Sequence, residues 1–340
     1  MIRSPEIDRL RSPAALFGRH RERLPTRPRE YQGPTYYGRP ALKPSPWTWE
    51  VGAYIFLAGL GGSAQIIATI ADLLGGRRTR SVVRHGRYLA VACAVLGAPL
   101  LISDLKTPRR WYNMLRILRA TSPMSIGSYV LTAFGGASAL AAADQALAVR
   151  SRGRDSTPVA RVAQIPAALA GAGMSTYTGA LLSATSTPMW AAEPGLLAAR
   201  FACSAMATGA AALSLAEQLN GEPVNSRPLD QVALTATVAE LAVSIVSERR
   251  QRARGVGRAL RQGGWGAANT AGALALGAGV PLACYGLNLM RKRRSPGLSI
   301  AASLAVLAGG MIMRQAVLHA GQQSAKRPRE YFRLTQDPHR

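Results

Sequence analysis

The chain has 340 residues, 48% of them hydrophobic and 17% charged, with 34 glycines and a formal net charge of +25. So large a positive charge would suit a nucleic-acid binder, which presents a continuous basic face or a folded reader motif. Here the Lys and Arg residues, Arg200 and Arg314 excepted, instead avoid the apolar runs and gather between them, in GGRRTR (75–80), ERRQRARGVGRALR (248–261) and RKRRSP (291–296). That is how a multi-span protein meets anionic headgroups, so the partner implied by the charge is a lipid bilayer and not nucleic acid.

Residues 1–46 read as a basic, Pro-rich N-terminal tail. They carry 10 Lys and Arg but no contiguous apolar stretch of the kind a signal peptide needs. Eight predominantly apolar runs follow, at about 51–74, 88–104, 125–149, 162–184, 195–219, 229–248, 264–290 and 298–319. Each is long enough to cross a hydrocarbon core of about 30 Å as a helix. The sixth is the weakest, because Asp230, Glu240 and Glu248 cost insertion energy unless they face other helices or lie near its ends; an amphipathic surface helix is its alternative. The polar tails explain why the mean hydropathy is only +0.05. The fold class is therefore an all-α integral membrane protein of eight transmembrane helices, with a membrane domain at 47–319 and a C-terminal tail at 320–340. Lys and Arg number 26 on the side that carries the termini and 14 on the other. By the positive-inside rule both termini are cytoplasmic, in the cell membrane.

Cys93, Cys203 and Cys284 sit singly in three different runs, which cannot supply the clustered thiolates of an iron–sulfur centre. Of the four histidines, His20, His85, His319 and His339, only His319 falls in a span, at its end, so facing histidine ligands for a membrane haem are not on offer. The sequence thus predicts no haem and no iron–sulfur cluster in this chain. Any redox chemistry belongs to a ligand with its own redox centre, or to another subunit.

The stretch DLKTPRRWYNMLRILRATSPMSIGSY, Asp104 to Tyr129, carries five cations, several aromatics and a Ser-Pro-Met turn that suits a helix start. Together with YYGRPALKPSPWTWEVGAYIFLAGLGGSA (36–64), LLISDLKTPRRWYNMLRILRATSPMSIGSYVLTAFG (100–135), YTGALLSATSTPMW (177–190) and MRQAVLHAGQQSAKRPREYF (313–332), it makes residues 35–333 resemble the NrfD-like family. These are membrane subunits of polysulfide reductase and related complex iron–sulfur molybdoenzymes. The resemblance implies an NrfD-like bundle of eight helices without haem. It also implies a menaquinone or ubiquinone site near one membrane face, and a ferredoxin-like iron–sulfur partner that relays electrons to a molybdopterin-type catalytic subunit.

Helix parity alone puts the start of the first span, the 105–124 connection, the end of the fourth span and the 185–194 connection on one face. The candidate quinone site gathered there comprises Glu50, Tyr54, Asp104, Arg109, Tyr177, Ser183 and Trp190. Glu50 and Tyr54, at i and i+4, share a helix face. Asp104 and Arg109 are spaced for an ion pair or for a polar network that caps the helix end. Trp47, Trp49, Trp111 and Trp190 read as interfacial anchors, and the resemblance implies that a tyrosine at Tyr177 lines the quinone pocket. The family pattern places an amide and a histidine on the first helix, where this chain has no histidine. Lys106, Arg110, Trp111, Arg116 and Arg119 are the expected partner-facing residues. A secondary transporter or channel, and an anchor without quinone, are the alternatives.

Overall fold

The computed structural model describes residues 42–152, 157–221, 224–291 and 295–335, so most of the N-terminal tail lies outside the described residues. Among the described residues every regular element is helical. The long helices are α1 (Trp49–Leu74), α2 (Arg80–Ser103), α3 (Pro123–Arg152), α4 (Pro158–Ser183), α5 (Pro194–Leu219), α6 (Ser226–Ala253), α7 (Gly263–Met290) and α8 (Pro296–Ala325), followed by the short α9 (Pro328–Thr335). Four of the long helices begin on proline, where the missing N–H costs nothing. Hydroxyl caps support two of these starts: Ser122 Oγ accepts from Ser125 N at 3.4 Å, and Thr157 Oγ1 accepts from Val159 N at 3.2 Å.

Seven of the eight long helices are long and apolar enough to cross a membrane; α4 is the one outside that set. The sequence points to the sixth run instead, and the structure corrects it. α6 extends over 28 residues, so Asp230 and Glu248 lie near its ends, while Glu240 stays at its middle. There Asp230 accepts bonds from Ser214 and Ser299, both at 2.6 Å. α4 is diluted by Ser175, Thr176, Tyr177 and Thr178 and by three glycines. Helices also outrun their apolar cores. α2 starts at Arg80 rather than 88, and α8 continues to Ala325, past the 319 boundary set by hydropathy.

α1 is the central helix: 83% of its apolar window is buried, against 28% for α2, α3 and α6. It packs on α2, α4, α5 and α8. Small residues permit this, with Gly62 set against the Gly171 backbone, Gly61 against Cys93, and Ser63 against Gly209. α2, α3 and α4 gather on one side of α1, and α5 joins α6 and α8 on the other, with α7 laid on α8. Within α7, residues Ala268–Gly279 form a π-helix, whose Gly277 touches the backbone of Gly309.

Charges inside the bundle are shared between helices, as they must be away from water. The fully buried Arg87 donates to Gln145 at 2.9 Å, Gln164 at 2.6 Å and Asp72 at 3.4 Å. Arg314 donates to Ser204 Oγ at 3.1 Å and lies over the rings of Phe56 and Phe201.

Candidate functional site

Long-range contacts collect at the end of the bundle where α1, α3, α5 and α7 begin. The start of α1 is tied to the end of α2 by Asp104 Oδ1, which accepts from Thr48 N at 3.3 Å and Thr48 Oγ1 at 3.1 Å. It is tied to α8 by Gln315 Nε2, which donates to Trp49 O at 2.9 Å, and by Gln322 Nε2, which donates to Trp47 O. Tyr177 Oη on α4 donates to Pro123 O at the start of α3, at 2.5 Å. Glu193, in the connection before α5, pairs with Arg254 at 3.2 Å and Arg250 at 3.6 Å beyond the end of α6 and within it.

The predicted site residues fall into separate groups within this end. Glu50 accepts from Thr48 Oγ1, so Glu50, Thr48 and Asp104 form one polar cap. Arg109 does not join it: among the described residues it has no ion pair with Asp104, because the 3₁₀ segment Pro108–Leu115 carries Arg109 outward while Asp104 turns back toward α1. Tyr54 is buried in α1 beside Gly97, and the half-buried Tyr177 ring lies on Gly127 of α3. Ser183 donates within its own helix to Gly179 O at 2.8 Å. Trp190 is not an interfacial anchor. Its side chain is fully buried, stacks on Trp47 with centroids 5.7 Å apart, donates from Nε1 to Val317 O at 3.0 Å, and fills the space left by Gly321. Lys106, Arg110, Trp111, Arg116 and Arg119 are all exposed.

Two clefts at this end were not read from the sequence. One, of about 260 Å³, lies between α2, α3 and the 108–115 segment. Its walls are Ala94, Ala98 and Leu101 on α2, Ser128, Leu131 and Thr132 on α3, and Trp111 with Met114 above. The pairs Ala94/Ala98 and Ser128/Thr132 at four-residue spacing are the only sequence signal, and they acquire meaning once the facing helix sides are known. The other cleft, of about 390 Å³, is basic, with Arg258, Arg327, Arg329 and Arg333 around Glu330 and Gln262. Buried Glu330 is held by Gly257 N at 3.1 Å, Ser324 Oγ at 2.9 Å and Arg327 at 3.3 Å, which fixes the loop before α7 to the start of α9. In that loop the Arg261 guanidinium is pushed below its ordinary pKa by burial and by neighbouring Arg252. Among the described residues there is no group of three His, Cys, Asp or Glu side chains placed to hold a metal ion.

The family model described as polysulphide reductase, NrfD, matches residues 40–325, nearly the whole helical body described above. The chain belongs to the NrfD family. It is also similar to the polysulfide reductase C subunit of Wolinella succinogenes, with 31% identity over 91 residues. That match spans 26% of this chain and 29% of the relative's length. This NrfD-family protein is thus a multi-pass, all-helical membrane protein whose motif-bearing segments meet at one end of the bundle. Among them, the connection between α2 and α3 leaves Trp111, Tyr112, Ile117 and Leu118 exposed among its five cations.

Proposed function

We propose that this chain is the haem-free, quinone- or quinol-binding membrane anchor of a respiratory oxidoreductase in the cell membrane. It exchanges electrons between menaquinone or ubiquinone and a ferredoxin-like iron–sulfur subunit, which serves a molybdopterin-type catalytic subunit. The observation that carries this reading is the cleft between α2, α3 and the 108–115 segment. It is apolar, bounded by two membrane-length helices, and placed at the end where the motif residues converge. A flat apolar ring with a lipid-soluble tail is the ligand such a cleft fits.

In this reading Trp111, Met114 and Leu131 hold the ring, and the Ser128 and Thr132 hydroxyls edge the cleft. Tyr177, whose ring lies on Gly127 one helical turn before Leu131 of the cleft wall, holds the start of α3 through Pro123 O; on turning from that carbonyl, its hydroxyl donates to a quinone oxygen. Glu50, half-buried at the boundary and sharing Thr48 with Asp104, takes the protons released on quinol oxidation and passes them to water. Two electrons leave toward the partner across Trp111, which both lines the cleft and is 43% exposed. Lys106, Arg110, Arg116 and Arg119, with the Arg258/Arg327/Arg329/Arg333 cleft, form the partner-facing surface. All eight long helices cross the membrane, α4 included: its 26 residues extend about 39 Å at 1.5 Å per residue, more than the core requires. The excess of Lys and Arg on the motif-bearing side supports its placement in the cytoplasm.

Extraction of quinone from the complex purified in mild detergent tests the reading. About one quinone per complex is expected in the wild type, and occupancy at least tenfold lower is expected in Leu131→Trp, which fills the cleft. Full occupancy in that variant removes the ring from this cleft; no quinone in the wild type, with the iron–sulfur partner intact, leaves a structural anchor.

A further inference from the structure

The end of the bundle opposite the motif-bearing face holds a second cationic cleft, with four arginines and no carboxylate in its lining among the described residues. α1 ends at Leu74, the backbone turns at Gly76 with a φ of +66°, and α2 starts at Arg80. This tight turn sets Arg77 and Arg78 beside the first turns of α2, where they join Arg80, Ser81 and Arg84 across from Asn225 in a cleft of about 440 Å³. Arg77, Arg78 and Arg84 meet no carboxylate among the described residues.

The carboxylate that bonds the cleft lining among the described residues is already committed. Glu217 is fully buried and accepts from Ser81 Oγ at 2.6 Å, Asn225 Nδ2 at 3.0 Å and His85 Nδ1 at 2.7 Å. It fixes the cleft floor, above which Arg77 and Arg78 are exposed. The start of α2 adds to the same field. Thr79 stands at its N-cap but spends its hydroxyl on Ala71 O and Gly76 O, so the first-turn N–H groups keep no side-chain cap. Apolar surface lies alongside: Leu73 is 62% exposed, Leu74 83% and Val224, in the cleft wall, 79%.

We infer that this cleft binds the phosphate headgroup of an anionic phospholipid, with Leu73, Leu74 and Val224 against its acyl chains. Basic sites between transmembrane helices are known to take such headgroups. A volume of about 440 Å³ lies in the range of organic-ligand sites, beyond what a single inorganic phosphate fills. The adjoining leucines give acyl chains a place that a soluble anion would not use. The inference rests on the protein's residing in a membrane and not on quinone binding, which is placed at the other end.

The test uses the purified complex in a zwitterionic detergent. Its thermal midpoint is followed with phosphatidylglycerol, cardiolipin, phosphatidylcholine or inorganic phosphate added, and retained lipid is read by native mass spectrometry. Anionic lipid is expected to be retained and to raise the midpoint, phosphatidylcholine and phosphate are not, and the double variant Arg77→Gln/Arg78→Gln is expected to weaken the effect at least about tenfold. Arg84→Gln is the second variant, should the pair fail to fold, with the same expectation. Equal shifts from phosphatidylcholine, equal shifts from inorganic phosphate, or wild-type lipid retention in a folded variant each overturn the inference. Quinone content, measured on the same samples, is expected to be unchanged by these variants, which separates this result from the outcome at the other site.

Discussion

Tyr177 shows how a single hydroxyl can serve both fold and function. It donates to Pro123 O across 54 residues of sequence and so pins the start of α3 to α4. Tyr177→Phe keeps the ring on Gly127 and removes that bond, worth about 0.5–1.5 kcal/mol of stability. If the same hydroxyl also holds a quinone oxygen, quinone-linked turnover per assembled complex falls several-fold to a hundredfold, since each 1.4 kcal/mol is about a factor of ten. Wild-type turnover per assembled complex would leave Tyr177 a purely structural role. Trp190→Ala is expected to behave differently, lowering stability by about 3–5 kcal/mol because a fully buried indole leaves a cavity. A thermal midpoint close to wild type would contradict its burial. The sequence placed Trp190 at the correct end of the helices but made it an anchor in the headgroups. Its partners explain why: Trp47, Val317 and Gly321 lie more than a hundred residues away, and only the packing reveals that Gly321 makes room for the ring. The pairing of Asp104 with Arg109 fails for the same reason. Arg109 is near in sequence, whereas Thr48, its actual partner, is 56 residues distant.

At the level of elements, periodicity and length found every long helix, because about twenty apolar residues in a row have few alternatives in a membrane. They were less able to find helix ends. Arg80 to Arg87 are helical although polar, since hydropathy marks where the bilayer ends and hydrogen bonding marks where the helix ends. The π-helical part of α7 left no sequence signature beyond glycine and alanine, residues that equally fit an ordinary close-packed helix. Its contact with α8 gives a prediction with an internal control. A Cβ on Gly309 meets the Gly277 Cα, so Gly309→Ala must part the two helices and is expected to cost about 1–3 kcal/mol. Gly286→Ala, in the α-helical half of α7 where a Cβ meets nothing within 4 Å, is expected to be neutral or to stabilise by about 0.4–1 kcal/mol. Thermal unfolding of the two variants in one detergent checks the difference in sign. Equal effects would mean that α7 and α8 do not touch through their glycines.

For the whole molecule the decisive number is how many helices cross. Hydropathy of the helices leaves α4 out of the seven, yet α4 packs on α1, α3 and α5 and still exposes Val162, Ile165 and Leu169 along one apolar side. Its polar residues are also engaged inside the protein: Ser175 Oγ lies 3.3 Å from Ser63 Oγ, and Gln164 binds Arg87 and Asp72. The crossing of α4 proposed above accords with this pattern, polar residues paired inside and apolar ones facing outward. The same network bears on orientation. Arg87, one of the 14 Lys and Arg on the side opposite the termini, is fully buried and faces no headgroup, so the bias behind the cytoplasmic assignment is stronger than the count of 26 to 14. Thr107, between α2 and α3, and the exposed Asn220, after α5, are separated by α3, α4 and α5. If α4 crosses they lie on opposite faces; if it does not, they share one. Thr107→Cys and Asn220→Cys, treated in intact cells with a membrane-impermeant maleimide, read both questions at once. Labelling of Asn220→Cys alone is expected, with Thr107→Cys reacting only after the membrane is opened. Labelling of Thr107→Cys alone would keep eight crossings and reverse the orientation, whereas the same result for both variants would reduce the crossings by one and place α4 wholly on one side of the bilayer.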